Sequence, residues 1–205
     1  MSYFTGIGSS NTPLAAKELM SAFTKLMFFT FEMHLRSGGA PAADSYFEGD
    51  LADGDMQIIR PQGKVSNPKH FSVEDPELIM KSHALILNLD LLENFKEMLN
   101  SPSSLFAVQA HTRNPFQVLG PKLNPDDKSK FLVCWTEGGG STLEDITTED
   151  GGSRTAMRLA AHHGIPIFNL NTYDGLKKIW GLVSTFCPNT KPFEYYEKEL
   201  LTSNK

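Results

Sequence analysis

Three short turns hold most of the residues in this sequence that could do chemistry. The first is Gly6-Ile7-Gly8-Ser9-Ser10-Asn11-Thr12-Pro13, after the apolar Tyr3-Phe4-Thr5. The second is Arg36-Ser37-Gly38-Gly39-Ala40, with Pro41 and Asp44 behind it. The third is Gly151-Gly152-Ser153-Arg154-Thr155. Each follows an apolar or alternating segment and opens a helical pattern. Glycines let backbone turn sharply and approach a ligand, and a helix start directs free N–H groups and a positive dipole end at it. That chemistry suits a phosphate or another anion. Arg36, Arg113 and Arg154 are the guanidiniums expected to clamp it. Asn114 and Thr136 are further candidate polar contacts. The competing role for Arg36 is an ion pair with Glu48 or Asp44. The competing role for the first turn is a tight strand-to-helix connection with no ligand.

The elements that must carry these turns read as alternating strands and helices. Thr12 with Pro13 reads as the N-cap and first position of a helix over residues 14–29. Residues 31–36 alternate apolar and polar as a strand does, and 56–61 is a third short strand stopped by Pro61. Residues 62–75 are polar and read as a loop or lid that carries Lys64, Lys69 and His70. Helices are expected over 76–100 and from Ser101 towards Gly120. Phe131-Leu132-Val133-Cys134-Trp135 is nearly all apolar, the pattern of a central parallel strand buried on both faces. Residues 156–163 read as a helix, 165–169 as the last core strand, and 173–186 as the last strongly apolar helix. Such alternation implies a mainly parallel sheet covered by helices on both faces. A ligand crevice belongs at the carboxyl ends of its strands, where the strand order reverses. All three turns should meet there, with the acidic stretch from Glu144 to Asp150 on the rim.

Composition narrows the function further. With 205 residues and 40% hydrophobic content, the chain can bury a real core. A net charge of −5 argues against a general nucleic-acid binder. Cys134 and Cys187 have no metal-ligand spacing near them, so no disulfide framework, metal or cofactor is expected. With no signal-peptide pattern and no apolar run of about 18 residues, a cytoplasmic protein without membrane contact is expected.

Taken together, these segments resemble a Rossmann-like superfamily. It includes the DNA-processing protein DprA and the Lonely Guy phosphoribohydrolases (the SLOG superfamily), and the likeness is to its tailed-bacteriophage branch. The resemblance rests on Tyr3-Phe4-Thr5-Gly6-Ile7-Gly8-Ser9 with Thr12-Pro13, and on Leu35-Arg36-Ser37-Gly38-Gly39-Ala40 with Ala43-Asp44. It continues in Arg113-Asn114-Pro115-Phe116-Gln117-Val118-Leu119-Gly120, in Cys134-Trp135-Thr136, and from Gly151-Gly152-Ser153 to Gly164-Ile165-Pro166-Ile167-Phe168-Asn169-Leu170. It implies an α/β, Rossmann-like three-layer sandwich with strand order 3-2-1-4-5. Residues 1–187 would be one nucleotide-binding domain with a loop and helical insertion at 62–130, followed by a tail at 188–205. It implies binding of a nucleotide or nucleotide-derived signalling molecule, which is sensed or sequestered, in a phage as a counter-defence in the host cytoplasm. It also implies a homo-oligomer assembled through helices that flank the sheet. The alternative is a Lonely Guy-like N-glycosidase acting on a nucleoside monophosphate, with Glu144 as its catalytic carboxylate. The chain departs from the signature Pro-Gly-Gly-x-Gly-Thr-x-x-Glu. Gly138-Gly139-Gly140-Ser141-Thr142 lacks the proline, and Gly151-Gly152-Ser153 competes with it as the matching loop.

Overall fold

The computed structural model describes residues 1–49, 51–52, 55–61 and 70–201; Lys64 and Lys69 lie outside them. Six strands form one sheet: β1 (Ser2–Gly8), β2 (Met33–Ser37), β3 (Met56–Arg60), β4 (Phe71–Ser72), β5 (Leu132–Trp135) and β6 (Ile167–Asn169). Their order is β4-β3-β2-β1-β5-β6, and every neighbouring pair is parallel. The five expected strands keep their expected order, with β5 and β6 as the fourth and fifth. Phe71–Ser72 adds an edge strand inside the segment expected to be loop, paired through Ile59↔Phe71. The fold is Rossmann-like α/β.

Period-two alternation divides each central strand between two cores. In β5, Val133 and Trp135 face one layer while Leu132 and Cys134 face the other. Hence the unbroken apolar run at 132–135. The first layer is α1 (Ala16–Phe31), α2 (Ala43–Glu48), α7 (Tyr173–Phe186) and α8 (Phe193–Leu200). It packs Leu19, Phe23, Phe47, Leu176 and Tyr196 against Phe4 and Leu35. The second layer is α3 (Pro76–Asn88), α4 (Phe95–Leu99), α5 (Leu105–Leu119) and α6 (Arg154–His162). It packs Ile86, Phe95, Phe116 and Met157 against Ile7 and Ile59.

Several boundaries differ from the sequence expectation. Phe31 ends α1, because Glu32 turns left-handed (φ 52°) and donates its N–H to Met27 O. Only then does β2 start, at Met33. The described part of the segment expected to be a tail, residues 188–201, is folded into the first layer. Tyr196 and Leu200 are buried, and Trp135 Nε1 donates to Leu200 O at 2.9 Å. That tie runs from the middle of the sheet to the end of α8. No helix among the described residues is long and apolar enough to cross a membrane.

Candidate functional site

The strand order reverses between β1 and β5. Connections leave β1 towards β2 and β3 on one side, and β5 and β6 build the other. At the carboxyl edge near this point lies a cavity of about 870 Å³. Residues of all three turns line it: Gly8, Ser9 and Ser10, then Gly38, Gly39, Ala40 and Asp44, then Gly151, Gly152 and Ser153. Arg113 and Asn114 line it too. Gly6, Thr12, Arg36, Ser37, Thr136, Glu144, Arg154 and Thr155 are not part of its wall. The reasons are local.

In the first turn, a Cβ on Gly8 would lie 2.6 Å from both Ala43 Cβ and Trp135 O. The missing side chain lets the end of β1 press against α2 and β5. Gly6 is one alternation earlier, where a Cβ would strike the Phe47 ring at 2.7 Å. It is a packing glycine and not a ligand glycine. Ser9 O accepts from both the N–H and the hydroxyl of Thr12, at 3.2 and 2.7 Å. That consumes Thr12, which therefore caps no helix. α1 starts only at Ala16, with no side-chain cap.

The second turn is inverted relative to an anion cradle. Gly38 N and Ala40 N donate to Asp44 Oδ2 at 3.1 and 3.2 Å, and Gly39 N donates to Ser37 Oγ at 3.2 Å. Ser37 in turn donates to Glu48 at 2.8 Å. With the N–H groups turned inward, carbonyls face the crevice and attract cations. Gly38 O accepts from Arg113 Nη1 at 2.9 Å, and Gly39 O accepts from Arg60 Nη1. Two guanidiniums thus stand in the wall where backbone amides were expected. Asp44 lies 4.0 Å from Arg113 and is 2% exposed; burial raises its carboxyl pKa while Arg113 opposes the shift.

Arg36 is the main correction. Its position is the last but one of β2, and the pleat aims it at the second helical layer rather than along the strand. It is fully buried there. Nη2 donates to Asp127 Oδ2 at 2.7 Å, Nε donates to Gln57 Oε1 at 2.8 Å, and the guanidinium lies 3.9 Å from the Tyr3 ring centroid. Burial lowers its pKa and Asp127 opposes that. Arg36 cannot clamp a ligand because Asp127, distant in sequence, has already taken it.

The third turn is a 3-10 stretch (Thr148–Ser153) that runs directly into α6. Gly151 adopts φ 60°, which a side chain would strain. Asn114 Nδ2 ties the turn to α5 by donating to Gly152 O at 2.7 Å. Thr155 is buried and its hydroxyl meets His111 Nδ1 at 2.8 Å. Burial, then the charges of Arg154 and Arg113, push the His111 pKa down to about 4. Arg154 thus acts on His111 through its charge, and neither residue is part of the wall.

Thr136 and Asp150 belong to a buried polar network that shapes the loop after β5. Thr136 Oγ1 donates to Asp150 Oδ1, Gly140 N donates to the same oxygen at 3.0 Å, and Asn169 Nδ2 donates to Gly140 O at 3.0 Å. Asn171 Nδ2 donates to Thr136 O and Glu137 O, both at 2.9 Å. Glu144 hangs on the exposed side of this loop and is not part of the crevice wall. Carboxylates nevertheless line the wall: Asp44, Glu137 and, from the acidic stretch expected on the rim, the exposed Glu149.

Sequence reasoning missed Arg60, Phe106, Ala110, Gln117 and Glu137. Arg60 was findable, since it ends β3 at the same carboxyl edge. Phe106, Ala110, Arg113, Asn114 and Gln117 recur at three- and four-residue intervals, one stripe of α5. Glu137 carried no such signal. Gln117 belongs to the wall, and its Nε2 is buried with no hydrogen-bond partner among the described residues. No group of three or more His, Cys, Asp or Glu among those residues is arranged to hold a metal. No family model matches the chain, nor does any curated protein or solved structure.

Proposed function

We propose that the chain binds a nucleotide or nucleotide-derived signalling molecule in this crevice and senses or sequesters it. One observation carries the reading. Turns from the ends of β1 and β2 and the turn before α6 meet α5 around a single cavity of about 870 Å³, with Arg60 and Arg113 in its wall. That volume falls within the range of small-molecule sites, roughly 300–1,000 Å³. The guanidiniums are the phosphate seat, since a planar fork of donors matches phosphate oxygens. They replace Arg36 and the amides of the second turn in that role. Phe106, 66% exposed on α5, offers a ring for a base to stack on.

The test is a thermal-shift and calorimetric screen of the full chain against nucleoside mono- and diphosphates, repeated with Arg60→Ala. Loss of a charged hydrogen bond should weaken binding by about 1.5–3 kcal/mol. No nucleotide bound, or equal affinity in the variant, would overturn the proposed seat. Free base plus ribose phosphate appearing in the same samples would overturn binding without turnover and make the chain a glycosidase.

A further inference from the structure

The crevice has two ends of unlike chemistry. Beside β2 and β3 stand Arg60 and Arg113, fixed by the carbonyls of Gly39 and Gly38. Beside β1 and β5 stands Glu137, a carboxylate of a different kind from Asp44, which is consumed by backbone N–H groups. Glu137 Oε1 accepts from Ser9 Oγ at 2.9 Å and from Asn11 Nδ2 at 2.7 Å. Its backbone carbonyl is gripped by Asn171. Its other oxygen has no hydrogen-bond partner among the described residues, and Glu137 is half-buried with no ion pair among them. A carboxylate oxygen has about two acceptor sites. One oxygen of Glu137 is therefore held still while the other is left open in the wall of a binding cavity.

Such an oxygen repels phosphate and accepts from a neutral donor, above all a hydroxyl. Fixing it in advance removes the side-chain entropy that a mobile glutamate would lose on binding. Its partners, Ser9 and Asn11, come from the first turn, so the turn's side chains serve Glu137 rather than an anion. On the nucleotide reading given above, we infer that Glu137 is a specificity residue that accepts a sugar hydroxyl and selects ribonucleotides over deoxyribonucleotides. The ligand would lie with its phosphate at Arg60 and Arg113 and its ribose edge at Glu137. A molecule carrying both an anion and a free hydroxyl edge satisfies both ends at once.

The experiment is calorimetry on the full chain with AMP, GMP, ADP and GDP, each beside its 2′-deoxy and 3′-deoxy counterpart. A carboxylate–hydroxyl bond should make the counterpart lacking that hydroxyl weaker by about tenfold or more. Glu137→Gln keeps the side chain's size and removes its charge. It should reduce the ribose preference to a few-fold and leave deoxynucleotide affinity equal or higher. Equal wild-type affinity for all three sugars, or an undiminished preference in Glu137→Gln, would overturn the inference while leaving nucleotide binding intact. If no sugar form binds, the underlying reading falls with it. Should Glu137→Gln not fold, the wild-type comparison of sugars still decides.

Discussion

Arg36→Ala should unfold this protein more readily and leave ligand affinity alone, the opposite of what a phosphate clamp would do. The magnitude follows from its surroundings. The side chain is fully buried, so truncation opens a cavity; large-to-small core changes of this size cost about 2–5 kcal/mol. Its stacking on Tyr3 adds about 0.5–2 kcal/mol. The ion pair adds less than its 2.7 Å length implies. Asp127 is 43% exposed and recovers water once Arg36 is gone, so the pair's share shrinks towards the 0–1 kcal/mol typical at a surface, roughly. Gln57 Oε1 is also left without its donor. These losses overlap, and the net expectation is about 3–5 kcal/mol. For a chain of this size each kcal/mol moves Tm by about 2–4 °C, so a fall of roughly 6–20 °C is expected. Arg36→Lys keeps the charge but cannot reproduce the fork to Asp127 and Gln57, and should fall between the two. The assay is thermal and urea denaturation of the free protein, with nucleotide affinity measured below the transition. An unchanged Tm together with lost binding would refute the burial argument.

Gln117→Met should stabilise the free protein, because it removes a buried amide donor that has no partner. Relief of that penalty is about 1–3 kcal/mol, read as a rise in Tm; a fall would show that the amide is satisfied in solution. His111 should make stability depend on pH. Its pKa is lowered to about 4, below that of an ordinary histidine, so the unfolded chain binds its proton first. Stability is then fully present above about pH 6.5 and is lost progressively as pH falls towards 4. His111→Gln should flatten that part of a Tm-against-pH curve, and an unchanged curve would assign the loss to other groups.

What the sequence determined by itself was the scaffold. Period-two and period-3.6 patterns, turn glycines and the apolar run at 132–135 are local signals. They were enough for a parallel sheet with three turns at one edge, while the strand order was what the family resemblance implied. Burial of both faces of β5 leaves few alternatives once the helices alternate with strands. What only the tertiary structure decided was the partner of each polar group. Arg36 and Arg60 both stand at or near the carboxyl end of a strand in the same sheet. The pleat turns one into a buried pair with Asp127 and lets the other reach the crevice. The glycine turn at 38–39 looked like a donor-rich cradle. Asp44 and Ser37 took its N–H groups and exposed its carbonyls, which then recruited Arg60 and Arg113. Glu144 had the glycine-rich neighbourhood expected of a catalytic carboxylate, yet Asp150 and Asn169 shape that loop so that Glu137 lines the crevice and Glu144 does not. Sequence periodicity tells which face of an element a residue occupies. A hydrogen bond between residues such as Ser9 and Glu137, 128 positions apart, exists only after the sheet has closed.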